Sequence, residues 1–94
     1  MVIRSYADSR TKEVAYGNVP KGFPADLARR AVRKLAMIES ARELTDLRSP
    51  PGNHLEALKA DRRGQHSIRI NDRWRICFVW TDAGAENVEI VDYH

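Results

Sequence analysis

Ninety-four residues at 43% hydrophobic content suit one modest core, and the span 1–94 is read as a single domain. Lys and Arg outnumber Asp and Glu by 16 to 13, a net charge of +3 in a chain that is 31% charged. A single cysteine excludes an internal disulfide, and three scattered histidines (His54, His66, His94) make no zinc box. With no signal-peptide h-region and no 18-residue apolar run, the expectation is a soluble cytoplasmic protein with no membrane contact, metal or cofactor.

In chain order, Val2–Tyr6 reads as a short strand rich in Val, Ile and Tyr, and Asp8–Tyr16 as a weak helix. The loop at Gly17–Gly22 is followed by Pro24 and Asp26, which suit the first turn of a helix. Leu27, Ala31, Leu35 and Ile38 repeat at helical spacing, widened by Ala28 and Val32, with Arg29, Arg30, Arg33 and Lys34 on the other side. That basic cluster is either a solvated helix face or an anion-binding surface. Ala41, Leu44 and Leu47 extend the helical spacing until Ser49-Pro50-Pro51-Gly52 stops it.

The period then changes. Ile68 and Ile70, then Trp74, Ile76, Phe78 and Trp80, then Val88 and Ile90 alternate with other residues, which predicts three strands in an antiparallel meander. The fold class is therefore α+β: an N-terminal strand, helices, then the meander. A three-residue turn at Asn71–Arg73 sets Ile68 opposite Ile76 and Arg69 opposite Arg75, on the face away from the helix. A five-residue turn at Asp82–Glu86 would bring Tyr93 opposite Arg75 as well. Trp74, Phe78 and Trp80 are assigned to the core, and Cys77 to passive filling of the Arg75 face.

Charge is segregated in the same region. Lys59, Arg62, Arg63, Arg69, Arg73 and Arg75 stand against only Asp61 and Asp72, whereas Ile76–His94 has four acids and no Lys or Arg. Facing arginines repel unless a negative group lies between them. Glu56 or Glu89 can be that group; so can a phosphate, which matches the donor fork of a guanidinium. Metal-free RNA cleavage needs a base for the ribose 2′-hydroxyl, cations for the phosphorane and an acid for the departing 5′-oxygen. Glu56 can supply the base, Arg75 with Lys59 and Arg69 the cations, and His94 the acid. Tyr93 can stack on a base or bond a phosphate. Asp92, of inward parity, can tie down the strand end or orient His94.

These residues also carry a resemblance. Leu55-Glu56-Ala57-Leu58-Lys59-Ala60-Asp61-Arg62-Arg63-Gly64, His66-Ser67-Ile68-Arg69-Ile70-Asn71, Trp74-Arg75-Ile76 and the ending Asp92-Tyr93-His94 resemble HigB-type toxins of the RelE superfamily. Ile3-Arg4-Ser5-Tyr6 and Leu47–Asn53 fit the HigB/GraT branch. The resemblance implies a compact RelE-like, microbial-RNase-like domain that enters the ribosomal A site and cuts messenger RNA. It implies a cognate helix-turn-helix antitoxin (HigA/GraA-like), with operator DNA reached only through that antitoxin. By position it marks Lys59, Arg75, Tyr93 and His94 as active-site residues, and Arg62, Arg63, Arg69 and Arg73 fall in the RNA-binding region. Many HigB chains have histidine where this one has Glu56; YoeB toxins have glutamate there and are thought to use it as base. Glu56 is thus the candidate base, with His54 and Asp92 as alternatives.

Two other readings compete. A RelE-fold module can act without catalysis, through protein contacts as in the ParE toxins or within antitoxin–operator complexes; ParE-type chains lack the Tyr93-His94 tail chemistry. A free RNA-binding domain is disfavoured because the strand aromatics belong to the core stripe.

Overall fold

The computed structural model describes residues 2–93. Helix α1 spans Ser9–Ala15, and Asp8 caps it: Oδ1 accepts from the Thr11 amide at 2.8 Å, satisfying one of the amides that a helix start leaves open. Helix α2 spans Ala25–Ser40, with Pro24 at the N-cap and Asp26 in the first turn. The predicted stripe is the buried one, comprising Leu27, Ala28, Ala31, Leu35 and Ile38. Burial of each large aliphatic side chain there contributes about 1.5–3 kcal/mol.

The helical spacing beyond Ser40 does not extend α2. Ala41 turns to extended geometry, and Leu44–Arg48 forms a separate 3₁₀ turn opened by a reciprocal capping pair, Glu43 and Asp46. Three residues per turn also align Leu44 with Leu47, so the spacing of these leucines serves both helix types. A second 3₁₀ turn, Pro51–Asn53, follows.

The sheet has four antiparallel strands in the order β1 (Glu56–Ala57), β2 (His66–Arg69), β3 (Trp74–Thr81), β4 (Gly84–Asp92). The expected meander is β2–β3–β4. The edge strand β1 was not foreseen, because two residues are too few to show alternation. Between β2 and β3 the register is the predicted one: Ile68 faces Ile76, Arg69 faces Arg75, and the Ile70 amide donates to the Trp74 carbonyl at 2.9 Å.

Between β3 and β4 the structure corrects the prediction. The turn is the two residues Asp82–Ala83, with Thr81 opposite Gly84 and buried Ala85 opposite Trp80. The ladder then slips at a bulge between Cys77 and Val79, where Asn87 has a φ of 53°. The bulge is needed because Ala85 and Val88 both point inward although three residues apart. As a result Val91, not Tyr93, stands opposite Arg75.

Val2–Tyr6 is not a full strand either. It lies parallel to β4 with two isolated bridges, Ile3 to Ala85 and Tyr6 to Val88. Its approach is so close that a Cβ on Gly84 (φ 131°) would lie 2.0 Å from the Val2 carbonyl oxygen.

The core lies between the helices and one sheet face, where Ile68, Ile70, Ile76, Phe78, Val88 and Ile90 meet Leu27, Leu35 and Ile38. Phe78 is fully buried, and Trp74 and Trp80 are partly buried against this core, as expected of that stripe. The opposite face is left for other chemistry. Among the described residues, no helix is long and apolar enough to cross a membrane.

Fully buried Thr11 joins α1 to this sheet, its Oγ1 accepting from the Ile90 amide at 3.0 Å. Thr11→Val keeps the shape and leaves that buried amide without its acceptor, so it should cost about 1–3 kcal/mol in urea unfolding. An unchanged midpoint would show that the amide finds another partner.

Candidate active site

The face away from the helices is built by the odd-numbered residues of β2 and β3 and by the segment that runs from His54 through β1 back to β2. Buried Asn53 shapes the start of that segment. Its Nδ2 donates to the carbonyls of Leu47 (3.1 Å) and Ser49 (3.3 Å), and its Oδ1 accepts from Lys34 Nζ at 2.5 Å. Lys34 is therefore turned inward from the basic cluster of α2, and burial, then the Arg69 charge, lower its pKa. Arg29 pairs with Asp26 on the same helix, while Arg30 and Arg33 are exposed. The next residue, His54, adopts left-handed geometry (φ 45°), a conformation few non-glycine residues take.

The His54 carbonyl meets Arg75. Arg75 Nη2 donates to it at 2.6 Å, Nε donates to Ser67 Oγ at 2.7 Å, and Glu56 Oε1 lies 3.5 Å from Nη2. The Arg75 side chain is only 14% exposed, against 57% for Glu56. The facing arginines are thus offset separately: Arg75 by Glu56, and Arg69 by Asp72 of the adjoining turn. Glu89 is engaged elsewhere, accepting from Arg62 Nη1 at 3.2 Å, while Gln65 Oε1 accepts from the same nitrogen at 3.1 Å.

Beyond β1, Lys59 opens a one-turn 3₁₀ helix, Ala60–Arg62. Lys59 and Arg63 are exposed, and among the described residues no carboxylate pairs with either. An open groove of about 510 Å³ is lined by Glu56, Lys59, Asp61, Arg62 and Tyr93. A neighbouring one is lined by His54, Leu55, Glu56, Arg69 and Arg75. Glu56 borders both.

Tyr93 does not lie beside Arg69 and Arg75 as the longer turn would have placed it. Its amide donates to the Arg73 carbonyl at 2.6 Å, and its ring leans back so that the hydroxyl lies 3.7 Å from Cys77 Sγ. Burial, then the Cys77 contact, raise the Tyr93 pKa, which keeps it a neutral phenol able to donate. Arg62 is partly buried, which opposes its charge, yet the Glu89 hydrogen bond leaves its pKa raised overall.

Arg73 stands apart from the grooves. Its Nε and Nη2 each donate to Asp92 at 2.7 Å, and its guanidinium lies over the Trp74 ring. This contact ties Asp92, at the end of β4, to the residue that precedes β3. His94 falls outside the described residues. Sequence reasoning missed Ser67 and the His54 carbonyl as partners of Arg75. The parity of β2 signalled Ser67, since it shares the face of Arg69; nothing local signalled the left-handed turn at His54.

Residues 5–94 match the family model described as the RelE-like toxin of the type II toxin-antitoxin system HigB. The chain belongs to the HigB family of RelE-like toxins. It is 31% identical over 93 residues to the Endoribonuclease HigB of Proteus vulgaris, a match covering 99% of this chain and 100% of that one. It is also 39% identical over 65 residues to Toxin HigB-1 of Vibrio cholerae, covering 69% and 68% respectively. The α+β architecture agrees with the RelE-like fold, and membership in a type II system implies an antitoxin partner.

Within this HigB-family site Cys77 is fully buried, and burial raises its thiol pKa despite the nearby Tyr93 hydroxyl and Arg62 charge. The native thiol therefore stays protonated where a free cysteine begins to ionise. At about pH 8, iodoacetamide should alkylate the denatured chain and leave the native one untouched. Equal rates would show that the thiol is open to solvent.

Proposed function

We propose that this chain is a ribosome-dependent messenger RNA endoribonuclease that needs no metal. The observation that carries the reading is the convergence on one sheet face of Glu56 with Arg75 at 3.5 Å, and of Glu56, Lys59, Arg62 and Tyr93 around one groove. A carboxylate bordered by cations can supply the base and the charge stabilisation that attack by a 2′-hydroxyl requires. The relative named Endoribonuclease HigB, alike along its whole length, supports the same reaction.

Glu56 takes the 2′-hydroxyl proton, the 2′-oxygen bonds to phosphorus, and the bond to the 5′-oxygen breaks. His94, which follows Tyr93 in sequence, returns a proton to that leaving oxygen. The products are a 2′,3′-cyclic phosphate and a 5′-hydroxyl end. Arg75 and Lys59 stabilise the charge on the non-bridging oxygens, and Tyr93 stacks on a base or donates to a phosphate. Arg62 and Arg69, which line the grooves, and exposed Arg63 bind flanking phosphates; Arg73, held by Asp92, braces the strand end. Messenger RNA in the ribosomal A site is the substrate, the cytoplasm the compartment, and a helix-turn-helix antitoxin of the HigA type the inhibitor. Operator DNA is met only through that antitoxin.

The test is a translating extract with transcript ends mapped. Wild-type protein should cut translated messages and spare the same RNA without ribosomes. Arg75→Ala, His94→Ala and Glu56→Gln should each slow single-turnover cleavage by about 10²-fold or more. Growth inhibition by His94→Ala equal to wild type would instead favour a toxin acting through protein contacts. An unchanged rate in Glu56→Gln would move the base role to His54 or Asp92.

A further inference from the structure

We infer that Ser67 is a positioning residue which, with the His54 carbonyl, fixes the edge that the Arg75 guanidinium presents to RNA. The inference rests on the role proposed above for Arg75. Ser67 is fully buried on β2, opposite Cys77 and diagonal to Arg75 on the same face. A small hydroxyl fully buried beside the Arg69–Arg75 pair requires a reason, and its contact supplies one: Ser67 Oγ accepts from Arg75 Nε at 2.7 Å.

The remaining contacts fall on one nitrogen. Arg75 Nη2 donates to the His54 carbonyl at 2.6 Å and to the Ser67 carbonyl at 3.4 Å, with Glu56 Oε1 at 3.5 Å. Among the described residues, none accepts from Nη1. The Nε–Nη2 edge is therefore held by the protein, and Nη1 is the donor pair left for a phosphate. A guanidinium clamped in this way needs no reorientation as charge develops on the phosphorane, which is how fixed donors accelerate such steps. The clamp joins two distant pieces of chain, a serine of the sheet and a carbonyl set by the left-handed turn after Asn53.

Ser67→Ala removes the Nε acceptor without adding volume. On programmed ribosomes it should lower kcat by about 10- to 100-fold with KM little changed, the pattern of a group displaced only slightly from its working geometry. In ¹⁵N spectra the Arg75 Nε–Hε signal should exchange slowly in wild type and lose that protection in Ser67→Ala. Ser67→Thr, which keeps the hydroxyl, should retain both the signal and the rate. Adding Ser67→Ala to Arg75→Ala should cost nothing further, since there is then no guanidinium to hold. An inactive Arg75→Ala beside a fully active Ser67→Ala, or an unprotected Nε–Hε in wild type, would overturn the clamp and leave the nuclease reading standing. An Arg75→Ala protein that cuts like wild type would overturn both.

Discussion

Two arginines directly opposite each other on neighbouring strands are the constraint around which the outer face is organised. The pairing of Arg69 with Arg75 is forced from the other side of the sheet. Ile68 and Ile76 must meet in the core, and the two-residue period of a strand then carries the arginines to the same place on the far face. Core packing contributes several kcal/mol here, far more than the repulsion of two partly solvated cations, so the core wins. The surrounding chain accommodates the outcome with a turn carboxylate for Arg69 and an edge-strand carboxylate with neutral acceptors for Arg75.

That accommodation has a graded character. Exposed pairs such as Arg69–Asp72 contribute little to stability, because water and salt screen them, and their partners exchange readily. Arg75 differs: it is mostly buried, and a buried guanidinium must have acceptors supplied by the protein itself. Its contacts to Ser67 and His54 are therefore structural, whereas Glu56 at 3.5 Å is half in solvent and held less closely.

The helical layer contributes more than a lid for the core. Lys34 reaches from α2 to Asn53, whose side chain also holds the carbonyls of Leu47 and Ser49, and His54 follows at once with its carbonyl on Arg75. The loop that shapes the site is consequently anchored to the helix on the opposite side of the molecule. Asn53 can do this because a buried amide offers donors and an acceptor together, and here both ends are used.

Much of the fold was legible in the chain because periodicity reports burial: the α2 stripe, the three meander strands and the Arg69–Arg75 pair all follow from spacing alone. Membership of the charged cluster around Glu56, Lys59 and Arg75 was legible from residue type and from the family likeness. What spacing could not reveal were features decided by contacts remote in sequence. The β4 bulge reconciles Ala85 with Val88, Gly84 yields to the Val2 backbone, and Glu56–Ala57 becomes a strand only because β2 offers an open edge. Nor could spacing show that folding brings Asp92 within reach of two Arg73 nitrogens, Nε and Nη2. Local pattern determined which side of each element faces the core, since that depends on residue type and helical or strand period. Which polar groups meet on the outer face was settled only in three dimensions, because hydrogen-bond partners are chosen by distance and not by position along the chain.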